Sequence, residues 1–240
     1  MLNEKITELK YVVDSSRYIV FFGGAGVSTE SNIPDFRSDD GLYAKKYPYP
    51  AEIMLSHSFF MAHTAEFYDF YVNNMIFLEA KPNPAHKALA ELESRGTLKA
   101  VITQNIDGLH QMGGSKNVYE LHGSIHRNFC MNCHKSYELS HIINNKPVPK
   151  CSCGGIVKPD VVLYEESLNS NTIDEAVAHI KKADTLIIGG TSLAVYPAAS
   201  LIEFFKGKNL VVINKSETGR ERLATLVINE AIGKVLETIL

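Results

Sequence analysis

The chain's four cysteines, Cys130, Cys133, Cys151 and Cys153, fall in one short stretch. A Cys-x-x-Cys pair followed by a Cys-x-Cys pair makes two thiolate knuckles of the kind that wrap one tetrahedral structural zinc. Gly154-Gly155, directly after the second knuckle, permit the tight backbone such wrapping needs. In a reducing compartment, thiols clustered this way favour a metal over disulfides. Three histidines lie nearby. His126 and His134 read as exposed loop residues, while His122 follows the short stretch VYEL at 118–121. Four thiolates already complete a tetrahedral shell, which sets His122 apart from the metal as either a structural histidine or a proton-transfer group, the chemistry an imidazole suits near neutrality.

A second set of reactive groups sits where apolar runs end. Gly23-Gly24-Ala25-Gly26 follows RYIVFF at 17–22, and glycines there let backbone N–H groups approach a phosphate. As a dinucleotide fingerprint, Gly24-x-Gly26-x-x-Thr29 places Thr where a third small residue is usual. Pro34-Asp35-Phe36-Arg37 then sets an acid, an aromatic and a guanidinium in a row, in a loop without apolar periodicity. Gln104, Asn105 and Asp107 follow LKAVIT at 98–103; Asn105 or Asp107 can equally serve as a helix N-cap. Gly189-Gly190-Thr191-Ser192 after TLII at 185–188 adds backbone donors and two hydroxyls. Asn214 ends LVVI at 210–213, where a dinucleotide-binding sheet usually places its ribose-reading residue.

These groups need a scaffold. Runs at 17–22, 98–103, 185–188, 210–213 and 225–228 are apolar throughout, with helical patterns between them. That alternation predicts a parallel sheet covered on both faces. Helices are predicted at 2–15 (from Leu2, Ile6, Leu9 and Val13), 83–95, 171–183, 196–206 and 229–239. In such sheets ligands gather at the carboxyl ends of the strands, where the glycine turn, the Gln104 group and His122 all lie. Residues 38–80, with a helical pattern over 59–77, and residues 124–157, with the cysteines, break the rhythm. The expected fold is α/β: a Rossmann-like parallel sheet with helices on both faces, plus a smaller zinc-ribbon and helical lobe formed by two insertions. Residues 1–37, 81–123 and 158–240 are expected to form the dinucleotide-binding domain, and 38–80 and 124–157 the small lobe.

The strings GAGVS at 24–28, with PDFR at 34–37, and TQNIDGLH at 103–110 resemble the sirtuin family of NAD-dependent protein lysine deacylases. The resemblance spans nearly the full length. The chain departs at Gly23, where the family commonly has Thr, and at Asn32, where it usually has Gly; Asn tolerates left-handed backbone better than most residues. The resemblance implies NAD as co-substrate and one structural zinc on the four cysteines. It implies NAD contacts from Gly24, Ala25, Gly26, Thr29, Asp35, Phe36 and Arg37, and from Gln104, Asn105, Ile106, Asp107 and His122. Gly190, Thr191, Ser192, Asn214 and Ile232 complete that set. His122 is implied to be the general base, Asp107 to hold the nicotinamide carboxamide, and Asn105 and Gln104 to position ribose and water. Phe36 is implied to shield the reactive carbon.

The same resemblance makes Val162, Leu163, Tyr164 and Glu165 the segment that pairs by backbone with an extended acyl-lysine peptide. Glu165 stands where the family has Gly and is expected to bias the groove against acidic peptides. Family members that prefer succinyl or malonyl groups carry Tyr-x-x-Arg where this chain has Tyr68-x-x-Tyr71. Without that guanidinium nothing in the motif pairs a distal carboxylate, so neutral acyl groups are expected, acetyl first and longer aliphatic chains after it. The implied reaction moves the acyl group from lysine to ADP-ribose, giving nicotinamide, O-acyl-ADP-ribose and free lysine. A NAD hydrolase or ADP-ribosyltransferase is the alternative.

With 240 residues, 45% hydrophobic and 21% charged, the composition is that of an ordinary globular protein. A net charge of −3 gives no electrostatic footprint for nucleic acid or an anionic membrane. The few basic residues around the cysteines (Arg127, Lys135, Lys146 and Lys150) argue against a nucleic-acid-binding ribbon. No apolar run approaches ~18 residues, and the first residues lack the features of a signal peptide. The expectation is a cytoplasmic monomer whose partners are acyl-lysine proteins or peptides, with no nucleic acid and no membrane.

Overall fold

The computed structural model describes residues 2–39, 41–44 and 46–239. Its main sheet holds six strands: β1 (Ile19–Gly23), β2 (Leu98–Thr103), β3 (Val118–Glu120), β7 (Thr185–Gly189), β8 (Asn209–Ile213) and β9 (Leu226–Ile228). Their order is β3-β2-β1-β7-β8-β9, every pair parallel. β1 and β7 are buried at every position, as strands covered on both faces must be. One face packs on α1 (Leu2–Ser15), α5 (Pro84–Ser94) and α9 (Ile232–Leu236); the other packs on α8 (Ser170–Lys182) and a 3₁₀ helix, Ala198–Phe204. In α5 the buried Ala85, Ala88, Leu89 and Leu92 form one helical stripe. Its start is set by Pro84 and by the Asn83 side chain, which accepts from the Ala85 N–H at 2.9 Å.

The chain runs from β1 outward through β2 and β3, then returns to lay β7 on the other side of β1. That reversal is the topological switch point at which such sheets open a crevice.

The remaining elements pack into a third apolar cluster. It draws on α2 (Ala51–Met54), α3 (His57–Ala62), α4 (Thr64–Met75) and α7 (Leu139–Asn144), and on an antiparallel sheet of β5 (Ser136–Tyr137), β4 (Gly123–Cys130) and β6 (Val157–Val161). Short α6 (Leu109–Met112) follows β2. No described helix is long and apolar enough to cross a membrane.

Three predicted elements differ in detail. The helix expected over 59–77 is two helices, broken at His63 (φ −132°, ψ 49°). There the Thr64 hydroxyl donates to the Phe60 carbonyl at 2.9 Å, a bond that competes with the continuing helix ladder. The 196–206 helix is the shorter 3₁₀ segment, where the Ser200 N–H and hydroxyl both donate to Pro197 O in an i→i+3 pattern. The last helix begins at Ile232 rather than at 229.

Candidate active site

The strand ends are stitched together beyond the sheet. Gly26 N–H donates to Gly190 O at 2.7 Å, Gln104 N–H to Gly23 O at 3.0 Å, and Leu121 N–H to Thr103 O at 2.9 Å. Gly26 and Gly190 lie so close that a Cβ on Gly26 would sit 2.8 Å from the Gly190 Cα, and Gly190 itself takes φ 58°. Small residues are therefore obligatory here. Asn32, the departure from the family's glycine, adopts φ 62° and ψ 26°, a left-handed conformation Asn tolerates.

A polar network occupies the crevice above these turns. Ser28 Oγ donates to Asp107 Oδ2 at 2.6 Å and accepts from Asn105 Nδ2 at 3.1 Å. The other Asp107 oxygen accepts from Leu109 N–H at 2.9 Å across Gly108, which is itself the N-cap of α6, so Asp107 faces the crevice without being that cap. Burial raises the Asp107 pKa, and the bonds from Ser28 and Leu109 oppose that rise. Gln104 Nε2 donates to Thr191 Oγ1 at 3.1 Å, tying the end of β2 to the end of β7.

His122 Nδ1 lies 3.0 Å from Gln104 O. A carbonyl can only accept, so Nδ1 carries the proton and Nε2 keeps its lone pair. Burial lowers the His122 pKa, partly offset by the Gln104 carbonyl, which keeps the ring neutral and basic at neutral pH. His126 departs from expectation. It is exposed but lies on strand β4, its Nε2 3.2 Å from Asp107 O, and it lines the crevice. His134 is an exposed loop residue as expected.

On the far side runs the segment after β6. Val162 N–H donates to His122 O at 3.0 Å. Tyr164 uses both backbone groups internally, donating to Leu55 O and accepting from His57 N–H, each at 3.0 Å. Among the described residues Val162 O and the Glu165 N–H have no bond within the chain, which leaves them for pairing. Glu165 is fixed at the edge of the cleft. Its φ is 75°, and its carboxylate accepts from the Ser58 N–H and hydroxyl, both at 2.9 Å. These bonds hold the carboxylate at the start of α3, where it lines the cleft with its charge uncompensated by any ion pair among the described residues. Likewise Tyr68 donates its hydroxyl to Val157 O, while the buried Tyr71 lines the crevice.

Together these surfaces enclose a cleft of about 1170 Å³. Every residue expected from the sequence to contact the dinucleotide or the peptide lines it, including Phe36, Arg37, Asn214 and Ile232. Sequence reasoning missed Ser28, Ile125, Lys215 and Glu230, which line it too. Ser28 had a signal, a hydroxyl two residues past Gly26 in the same turn; the others had none.

The cysteines stand apart from the cleft. Their four Sγ atoms lie within 4.8 Å of one another, with Cys130–Cys153, Cys133–Cys151 and Cys133–Cys153 at 3.5 Å. Four thiolates at the usual Zn–S distance of about 2.3 Å have sulfur–sulfur edges of ~3.8 Å, so the cluster fits a tetrahedral zinc. A Cβ on Gly155 would stand 2.7 Å from Cys130 Sγ, so the backbone wraps closely around the metal position.

A model of the Sir2 family matches residues 24–197. The NAD-dependent protein deacetylase of Clostridium acetobutylicum is 62% identical over 244 residues, covering 100% of both chains. That of Clostridium tetani is also 62% identical, over 95% of this chain and 94% of its own. Among solved structures, a Sir2 protein with deacetylated p53 peptide and 3′-O-acetyl-ADP-ribose is similar at TM-score 0.91 and 38% identity, over 98% of this chain and 96% of that one. A Sir2 complex with p53 peptide and NAD+ is similar at TM-score 0.87 and 38% identity, with the same coverage. Matches of this breadth, on a chain whose glycine turn, polar network and histidine share one cleft, show that it belongs to the Sir2 family.

Proposed function

We propose that the protein is a NAD-dependent protein lysine deacetylase with NAD as co-substrate and His122 as general base. The observation that carries this reading is the double attachment of His122. Its ring is fixed by Gln104 O at the dinucleotide side, and its own carbonyl accepts from Val162 N–H at the peptide side. One residue thus joins the two halves of the cleft. The relatives' shared name and the NAD and acetyl-ADP-ribose complexes of similar structures support the same activity.

In the overall reaction acetyl-lysine, NAD and water become lysine, nicotinamide and O-acetyl-ADP-ribose. The glycine turn, Arg37, Thr191 and Ser192 bind phosphates and riboses, and Asn214 and Ile232 take the adenosine end. Asp107, held by Ser28, receives the nicotinamide carboxamide, while Asn105 and Gln104 orient ribose and water. Neutral Nε2 of His122 draws a proton from a ribose hydroxyl. Phe36 closes over the reacting carbon and keeps water out. Backbone groups of Val162–Glu165 hold the peptide, which demands little of its sequence. The four thiolates hold a structural zinc, which supplies rigidity to the ribbon and no step of the reaction.

The division at 1–37, 81–123 and 158–240 against 38–80 and 124–157 belongs to this reading, supported by separate apolar clusters except that Val161 and Leu163 pack in the cluster of the smaller unit. A monomer working in the cytoplasm is part of the same proposal. Mass spectrometry of an acetyl-lysine peptide with and without NAD tests the activity. Deacetylated peptide and O-acetyl-ADP-ribose are expected only when both substrates are present. Nicotinamide released at full rate without peptide would instead identify a NAD hydrolase.

A further inference from the structure

The loop at 35–44 carries Phe36 and Arg37, and its hydrogen bonding is almost wholly internal. Asp35 Oδ1 accepts from Arg37 and Ser38 N–H, Asp35 O from Leu42 N–H at 2.8 Å, and Phe36 O from Tyr43 N–H at 2.9 Å. Among the described residues one hydrogen bond leaves this loop, between the hydroxyls of Tyr43 and Tyr164. The Tyr43 ring meets Phe36 edge-on at 5.6 Å and lies 5.5 Å under the Arg37 guanidinium. Tyr43 therefore supports both cleft-facing side chains of the loop.

Its partner is anchored. Tyr164 is pinned by two backbone bonds to the residues flanking Ser56, and Glu165 is clamped on Ser58. Glu166 accepts from Leu163 N–H at 2.9 Å and pairs with Lys158 at 3.0 Å. A loop with one outward bond thus meets a segment fixed on several sides. Burial and the Tyr164 hydroxyl push the Tyr43 phenol well up, so Tyr43 stays protonated at working pH.

We propose that the Tyr43–Tyr164 hydroxyl pair latches the NAD-facing loop to the peptide segment, so that acyl-peptide and dinucleotide each tighten the other's binding. The proposal rests on the function proposed above and assigns both tyrosines as positioning residues acting through Phe36 and Arg37. Coupling between two sites is reciprocal, so either ligand reports it.

The test is a binding cycle with ADP-ribose, which cannot react, titrated by calorimetry with and without saturating acetyl-lysine peptide. The native chain, Tyr43→Phe, Tyr164→Phe and the double variant are compared. Each change deletes one oxygen, and thermal unfolding of each variant checks that the fold persists. The peptide is expected to tighten ADP-ribose binding to the native chain, and each single variant is expected to lose about 2- to 10-fold of that enhancement, the worth of one hydrogen bond. The double variant is expected to lose no more than either single one. Equal enhancement in all four proteins overturns the latch. So does multiplication of the two single losses in the double variant, or a change in peptide affinity alone. Absence of deacetylation by the native chain would sink the proposed function without touching this binding result.

Discussion

His122 is the residue where position and protonation meet. Its ring N–H is spent on Gln104 O, and burial depresses its pKa below the ordinary 6.5. Turnover should therefore hold on the alkaline side and fall as acid protonates Nε2, with its midpoint below 6.5. A pH profile of kcat/KM for an acetyl-peptide measures this; a midpoint above the ordinary histidine value contradicts the assignment. His122→Ala should cost about 10²- to 10⁴-fold in turnover, the range for a positioned acid–base group, while the thermal midpoint stays near that of the native chain. Ser28 shows what the chain conceals at this scale. Its partner Asp107 is 79 positions away, and serine is too common for its type alone to mark it.

At the scale of elements, Glu165 links a strained backbone position to a helix start. A non-glycine residue at φ 75° carries a penalty of about 1–2 kcal/mol, and the carboxylate bonds to Ser58 return about as much. Glu165→Ala keeps the strain and loses the bonds, so it should destabilise by about 1–2 kcal/mol. Glu165→Gly loses both and should stay within about 1 kcal/mol of native, as urea unfolding midpoints would reveal. A larger loss in the glycine variant would contradict this balance. The clamp was not legible in the sequence, because nothing local ties Glu165 to Ser58. The main strands were legible, because strands buried on both faces are apolar throughout, as in IVFFG and LKAVIT. Their ends followed, and with them most of the cleft. The break at His63 was not, because aromatic residues on both sides of it bury in one cluster and keep the pattern of a continuous helix.

Two features govern the whole molecule. His86 and His110 pack 4.7 Å apart, and among the described residues neither ring nitrogen of His110 has a partner. Burial lowers their pKa values to about 4 and about 3. Above the ordinary value of 6.5 both are neutral, folded or unfolded, and contribute no pH dependence. Below it the unfolded chain binds protons that the folded chain refuses, so stability falls until the folded groups protonate near 4 and 3. His110→Leu should flatten that fall by up to about 1.4 kcal/mol per pH unit, measured by urea unfolding between neutrality and mild acid. An unchanged slope would remove the pair as its source. The thiolate cluster acts differently, since no cysteine lines the cleft. Yet Cys130 ends β4, which starts immediately after His122, and Gly123 of that strand pairs with Val161 of β6 next to the peptide segment. Cys130 and Cys151 also belong to the apolar cluster that holds the buried Tyr71. Stripping zinc with a chelator should therefore lower the unfolding temperature and abolish deacetylation together, with one equivalent of metal released. Cys130→Ala should do the same. A metal-free chain that kept full turnover would show that β4 holds His122 without help from the ribbon.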